Sequence, residues 1–290
     1  MKKRISFKQI TQLEPEWVKS KIEEFIIEDM PTGDITTDNT ISDITLIRAE
    51  MIAAEDFIFC GEQFIPLCFP KNCNIDLCVQ DGMNVSLDQV LVRIEGYASS
   101  ILTHERLALN LTQRLCGITT ETKKYCDLNL PENFKVMDTR KTTPGLRKFE
   151  KYAVSVGGGW NHRLNLSTSI LLKDNHLKAS GGIKEAIYKI RKNCDEDIPI
   201  ELEVDTIEQL KEGLRYNLDG YLLDNMTSNI VRDAVSLIRE QKNGEEIFIE
   251  ASGGINYDLI ESYAWTGVDA VSTSAITSRA PAVDIKMDFI

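Results

Sequence analysis

From Phe134 onward, short apolar runs alternate with amphipathic helical ones, and few folds accept that pattern. The apolar runs are Phe134–Met137, Ser169–Leu172, Ile198–Val204, Gly220–Leu223, Ile247–Ile249 and Ala270–Val271. Helical spacing lies between several of them, as in Ile183–Ile190, Ile207–Leu214 and Ile230–Ile238. Strands joined through helices pair in parallel, because a parallel partner can be reached only by a long crossover. The repeated unit therefore predicts a parallel sheet, either closed as a barrel or doubly wound. In both arrangements, functional groups gather beyond the carboxyl ends of the strands.

Those strand ends are polar or charged throughout. They read, in order, Thr139-Arg140-Lys141; Lys173-Asp174-Asn175-His176; Glu201, Glu203 and Asp205; Asp224-Asn225; Glu250-Ala251-Ser252-Gly253-Gly254; and Ser272-Thr273-Ser274. Ser252, Gly253 and Gly254 sit between a strand and a helix expected to start near Asn256. Glycines there let backbone N–H groups approach a phosphate, and a helix N-terminus favours its charge. With Ser272, Thr273 and Ser274 at the next strand end, the pair forms a candidate phosphate cup. Arg140, Arg163 and Lys173 could grip carboxylates or a pyrophosphate, arginine by its planar fork and lysine as a point charge. Glu203 and Asp224 offer hard oxygen ligands for Mg²⁺ or acceptors for sugar hydroxyls. They could equally be buried acids that neutralise nearby lysines. Lys173 also stands where a Schiff-base lysine would.

Charge narrows the ligand class. The stretch from Thr139 to Lys178 holds eight Lys or Arg against two acidic residues, in a chain of net charge -12. A basic pocket on an acidic body suits a small anion and excludes a nucleic acid polymer, which would be repelled elsewhere. His162 and His176 fall in the same stretch. Its bland alternative is a solvated basic helix flanked by glycine loops.

The first hundred residues follow a different pattern. Trp17–Ile27 has helical spacing, and a loop through Pro31, Gly33 and Asp34 follows. Alternation at Ile47–Ala53, Ile75–Val79 and Val90–Ile94 predicts three half-buried strands in a mixed α+β unit. Ile101–Cys116 reads as a mostly buried helix, with Arg106, Asn110 and Arg114 on a separate face. Met1–Lys8 is basic, Gln9–Lys21 is polar, and no long apolar run follows, so neither a signal peptide nor a membrane span is expected. Seven cysteines without metal-ligand spacing predict free, mostly buried thiols and a cytoplasmic protein.

Taken in order, the motifs resemble those of the quinolinate phosphoribosyltransferases over nearly the whole chain. They are Glu28-Asp29 with Gly33-Asp34-Ile35-Thr36-Thr37, Glu105-Arg106-Leu107-Ala108-Leu109-Asn110, and the run from Thr139 to Arg147. They continue with Gly157-Gly158-Gly159, Asn161-His162-Arg163, Lys173-Asp174-Asn175-His176, Glu203-Val204-Asp205, Leu223-Asp224-Asn225 and Ala251-Ser252-Gly253-Gly254-Ile255. The resemblance implies an N-terminal α/β sandwich domain, residues 1–112, joined by a returning C-terminal tail, residues 278–290. It also implies an open, incomplete α/β barrel over residues 113–277. It implies a homodimer with shared active sites, in which Arg106 serves the partner's site, and it leaves higher assembly open.

By the same resemblance, Arg140, Lys141, His162, Arg163 and Lys173 line the site and bind the quinolinate carboxylates. Lys141, Lys173, Glu203 and Asp224 carry the catalytic roles, with Glu203 and Asp224 facing ribose and Mg²⁺. Ser252, Gly253, Gly254, Ser272, Thr273 and Ser274 take phosphate. The implied reaction joins quinolinate to phosphoribosyl pyrophosphate with loss of carbon dioxide. Ser274 stands where the family usually has glycine. The tail also resembles molybdenum-transport-associated paralogues, which generally lack the counterparts of Arg106 and Lys173. The alternatives are thus such a paralogue acting on another base, a Lys173 aldolase, or a catalytically silent anion-binding protein.

Overall fold

The computed structural model describes residues 5–42, 44–195 and 197–290. Met1–Arg4, part of the basic start noted above, lie outside them. The chain divides into two compact units. One comprises residues 10–124, 144–158 and 279–290, and the other comprises the segment ending at Gln9 with residues 125–143 and 159–278. Strands are numbered β1 to β12 in chain order.

The first unit holds β1 (Leu46–Ala53), β2 (Phe57–Ile58), β3 (Asn74–Leu77), β4 (Asn84–Val85), β5 (Val90–Tyr97) and β12 (Ile285–Phe289). Four of these form an antiparallel sheet in the order β12-β1-β5-β3, and β2 pairs with β4. The tail expected to return does so as an edge strand, with Met287 opposite Met51, which in turn faces Val92. Alternation within β1 buries Ala49, Met51 and Ala53. Helix Pro15–Asp29 begins on a proline that needs no N–H partner and buries Val18 and Ile22.

Two helices of this unit differ from expectation. Asp34 does not sit in a plain loop. Its carboxylate accepts from the N–H groups of Thr36 (3.0 Å) and Thr37 (3.1 Å) and caps helix Ile35–Thr40. Bonds from the Thr37 hydroxyl and N–H hold that carboxyl below its ordinary pKa. The long helix runs from Ala98 to Cys126, beyond the expected Cys116. Its extension buries Thr119 and Thr122, whose polar side chains broke the apolar periodicity. The Thr119 hydroxyl donates to the Ala153 carbonyl at 3.0 Å. Gly117 lets the tail cross this helix, because a Cβ there would overlap the Pro281 carbonyl oxygen.

The second unit carries β6 (Lys135–Met137), β7 (Ile170–Leu172), β8 (Ile200–Val204), β9 (Gly220–Asp224), β10 (Phe248–Ser252) and β11 (Ala270–Ser272). They form one parallel sheet in the order β6-β11-β10-β9-β8-β7. The sheet is open, because β6 and β7 end it on opposite sides and no pairing joins them among the described residues. Each observed strand lies within a few residues of its expected position. Helices Asp174–Ser180, Ile183–Asn193, Ile207–Gly213, Ser228–Arg239 and Tyr257–Ala264 provide the crossovers.

Every residue of β8 is buried, so its alternation is chemical rather than one of exposure. Ile200, Leu202 and Val204 share one face, and Glu201 and Glu203 share the other. On the same face of the sheet lie Leu222 and Asp224 of β9, and Phe248, Glu250 and Ser252 of β10. The pairings Glu203 with Leu222, Leu222 with Glu250, and Asp224 with Ser252 establish this. Ile5 and Phe7 pack with Met137, Phe248 and Ala270 in a core cluster of this unit. Three of the seven free cysteines, Cys60, Cys68 and Cys116, are buried, fewer than expected. Among the described residues no helix is long and apolar enough to cross a membrane.

Candidate active site

The open end of the parallel sheet holds a cavity of about 300 Å³. Thr139, Arg140 and Lys141 after β6, His162 and Arg163 before β7, and Lys173 after β7 line it from one side. Glu203, Asp224, Glu250, Ser252 and Ser272 line it from β8 to β11, and Leu171 and Leu222 supply its apolar surface. Lys173 follows a three-residue strand and is the N-cap of the next helix. Its N–H donates to His176 Nδ1 at 3.0 Å, which places His176 outside the cavity lining, in a capping role. The Lys173 ammonium is 2.5 Å from Glu203 Oε2. That contact occupies the amine that a Schiff-base lysine would need free.

Burial dominates the acids of this cavity. It raises the Glu203 pKa, an effect opposed by Lys173 and reinforced by Asp224 and Asp205. Asp224 is likewise raised by burial, against the pull of Lys173. Burial also lowers the Arg163 pKa, as does its neighbour Arg140. One Arg163 N–H is committed to the Ser169 carbonyl at 2.8 Å, which fixes the guanidinium.

His162 is 6% exposed. Its backbone N–H donates to Asp138 Oδ1 at 2.8 Å, and Asn161 donates to Asp138 Oδ2 at the same distance. Its ring stacks on Phe7 at 5.0 Å. Its Nε2 stands 3.3 Å from Glu250 Oε2. Burial alone would lower the His162 pKa, but the charges of Glu250, Glu201 and Asp138 outweigh it and the net shift is upward.

Gly253 (φ +93°) and Gly254 (φ +65°) follow β10 in conformations that side chains resist. Gly253 presses against the backbone of Asn225, itself at φ +55° with its N–H on the Ser252 carbonyl (3.0 Å). Ser274 is not among the described residues with positive φ, so serine is accommodated without left-handed strain. Thr273 corrects the expectation that all three residues of its loop face phosphate. Its N–H donates to the Met137 carbonyl (2.9 Å) and its hydroxyl to the Ile255 carbonyl (2.7 Å). The Ser272 hydroxyl is likewise given to Glu250.

The basic stretch does not converge as a whole. Arg147, Lys148 and Lys151 lie on helix Arg147–Val156, in the other unit. That helix is not the solvated one of the bland alternative, since Phe149–Val154 are buried. Lys148 stacks over Trp17 at 4.7 Å, and Glu150 receives Arg114 at 3.0 Å. Arg106 is exposed on the long helix and is not part of the cavity lining. Sequence reasoning undervalued Glu250, Asp138 and Phe7. Glu250 was accessible to it, since it lies two residues before Ser252 and so shares its face.

Comparison with known proteins matches this architecture over its length. Residues 34–116 match the model of the quinolinate phosphoribosyl transferase N-terminal domain, and residues 118–288 match that of the C-terminal domain. The probable nicotinate-nucleotide pyrophosphorylase [carboxylating] of Bacillus subtilis is 37% identical over 274 residues, covering 93% of each chain. The enzyme of that name from Mycobacterium leprae is 35% identical over 276 residues, covering 93% of this chain and 96% of its own. The solved nicotinate-nucleotide pyrophosphorylase from Francisella tularensis superposes with a TM-score of 0.88 at 34% identity, over 98% of this chain and 100% of that one. With both domain models matched in order and full-length relatives above 30% identity, the chain belongs to the quinolinate phosphoribosyl transferase family.

Proposed function

We propose that this protein transfers phosphoribose from phosphoribosyl pyrophosphate to quinolinate, releasing pyrophosphate and carbon dioxide and leaving nicotinate mononucleotide for NAD synthesis. The observation that carries the reading is one cavity lined by four cations, Arg140, Lys141, Arg163 and Lys173, with His162 beside them. Two carboxylates on one small ring need that density of donors, and a monocarboxylate would leave some of them unpaired.

The residues divide the work by position. Arg140, Arg163, His162 and Lys173 hold the ring carboxylates and so fix the pyridine nitrogen toward the ribose. Asp224 and Glu203 face the ribose hydroxyls. The turn at Gly253 and Gly254 and the start of helix Ala275–Ser278 receive the phosphates. The pyridine nitrogen forms a bond to the anomeric carbon as the bond to pyrophosphate breaks. The ring, now cationic, accepts the electron pair of the adjacent C–CO₂⁻ bond when carbon dioxide leaves, and the carbanion then takes a proton. The Lys173 and Lys141 ammonium groups, which line the cavity, would donate that proton. No protein nucleophile is required.

Glu203 and Asp224 also fit Mg²⁺. They are hard carboxylate donors whose burial disfavours the charged form, which a bound cation would stabilise. When bound, the ion would supply charge neutralisation for the departing pyrophosphate. The protein is proposed to act as a cytoplasmic homodimer, with Arg106 extending from one protomer to the site of its partner. The exposure of Arg106 supports this, because a guanidinium outside its own chain's cavity lining is available to a second copy.

The test is substrate discrimination. With phosphoribosyl pyrophosphate and Mg²⁺, quinolinate should be turned over and nicotinate should be a very poor substrate, by roughly 10⁴ in kcat/KM. Comparable rates for the two would favour a phosphoribosyltransferase acting on another base. Binding of quinolinate without turnover would indicate the silent protein.

A further inference from the structure

A buried acid outside the proposed catalytic set occupies the base of the cavity. Glu250 is 0% exposed, with one oxygen hydrogen-bonded within the sheet and the other turned toward His162 without a hydrogen bond of its own. Oε1 accepts from the Ser272 hydroxyl of the neighbouring strand, and Oε2 faces His162 Nε2 at 3.3 Å. Glu201 of β8 completes a buried trio, its ligand-capable oxygen within 4.8 Å of the other two groups. Burying two carboxylates beside one imidazole is costly, and protons relieve it: burial and the charge of Glu250 push the Glu201 carboxyl up to about 8, which leaves Glu250 as the acid that a charged imidazole would pair. The groups facing the imidazole are Glu250 from β10, Glu201 from β8 and Asp138 after β6, with Phe7 stacked on its face. Phe7 covers one face of the ring, and the cations Arg140, Lys141, Arg163 and Lys173 line the same cavity as His162.

We propose that Glu250 is a positioning residue for quinolinate, holding the His162 ring in place as a fixed positive charge against which a ring carboxylate docks. The inference rests on the proposed function and adds to it a specificity determinant at the base of the cavity. Glu250 need not touch the substrate. Its hydrogen bond from Ser272 keeps Oε2 aimed at His162 and ties the carboxylate-binding side of the cavity to β11. The direction of the His162 shift agrees with this arrangement. A raised pKa preserves the charge as pH rises past the ordinary value of 6.5, and the associated stability is lost only as pH passes the folded-state value.

The experiment compares the wild-type chain with Glu250→Gln, which keeps the shape and removes the charge. The chain has only three histidines, so ring resonances can be assigned by NMR and His162 titrated without any substrate. His162 should titrate above 6.5 in the wild type and markedly lower in Glu250→Gln. In steady-state assays, the KM for quinolinate should rise about tenfold or more while that for phosphoribosyl pyrophosphate changes less than about twofold. The quinolinate defect should widen as pH rises, because the variant imidazole loses its proton first. An unchanged His162 titration, or equal losses for both substrates at every pH, would overturn the proposal. If Glu250→Gln does not fold, the wild-type titration and the same measurements on Ser272→Ala decide the matter. Ser272→Ala should shift both readouts in the same direction, to a smaller extent. Absence of quinolinate turnover in the wild type would refute the proposed function instead, and the NMR titration would still report on the Glu250–His162 pair.

Discussion

Gly253 and Gly254 allow the phosphate turn to be tested by a contrast between neighbours. An alanine at position 254 enters a left-handed conformation with no atom within 4 Å of its Cβ. The cost is the backbone term alone, about 1 kcal/mol. An alanine at 253 bears a comparable term at φ +93°, and its Cβ would lie 2.5 Å from the Asn225 backbone nitrogen and 2.8 Å from its Cα. Asn225 has nowhere to retreat, since its N–H is bonded to Ser252 and its side chain donates to the Asp224 carboxylate at 2.6 Å. Overpacking against backbone adds roughly 2–3 kcal/mol, so the total is about 3–4 kcal/mol. Where the turn yields, that sum is lost from phosphoribosyl pyrophosphate binding, and where it holds, from stability. We expect Gly254→Ala to weaken apparent affinity about fivefold. We expect Gly253→Ala to lose about two to three orders of magnitude, divided between affinity and thermal stability. Titrating each folded variant with phosphoribosyl pyrophosphate, alongside its melting curve, gives both parts. Equal effects, or a larger loss at Gly254, would refute the reasoning.

Three further outcomes follow from the geometry. Arg114→Met should cost about 3 kcal/mol in chemical denaturation, because it removes the guanidinium from Glu150, which is 0% exposed. Gly117→Ala should destabilise the unit containing β12 by roughly 3 kcal/mol in chemical denaturation, since its Cβ would collide with the Pro281 carbonyl. Chains carrying Arg106→Ala or Lys173→Ala should each be nearly inactive and recover part of the activity when mixed and allowed to exchange subunits. No recovery despite proven exchange would count against shared sites.

The parallel sheet was legible because strand length, helical spacing and polar strand ends all pointed the same way. Its inward positions were legible too, since the period of two that places Glu203 on the cavity face also places Glu201 there, and the same rule links Ser252 to Glu250. Helix Ile35–Thr40 was not legible, because it is short, polar and held by the Asp34 cap rather than by an apolar stripe. The extension of the long helix was hidden by threonines whose hydroxyls donate to carbonyls, Thr119 to Ala153 and Thr120 to Cys116. Proximity in sequence also misled. Eight basic residues within forty positions suggested one cluster, yet the helix carrying Lys148 and Lys151 turns them toward Trp17 and the interior of another unit. Phe7 could not have been placed, since it lies in an N-terminal stretch without a periodic signal and its partner His162 is far along the chain.

The most direct test of the central claim follows the carboxylate beside the ring nitrogen. Purified protein is incubated with Mg²⁺, phosphoribosyl pyrophosphate and quinolinate labelled in that carboxylate. The account requires labelled carbon dioxide to appear in step with unlabelled nicotinate mononucleotide. A nucleotide that keeps the label, or no nucleotide from quinolinate, would contradict it.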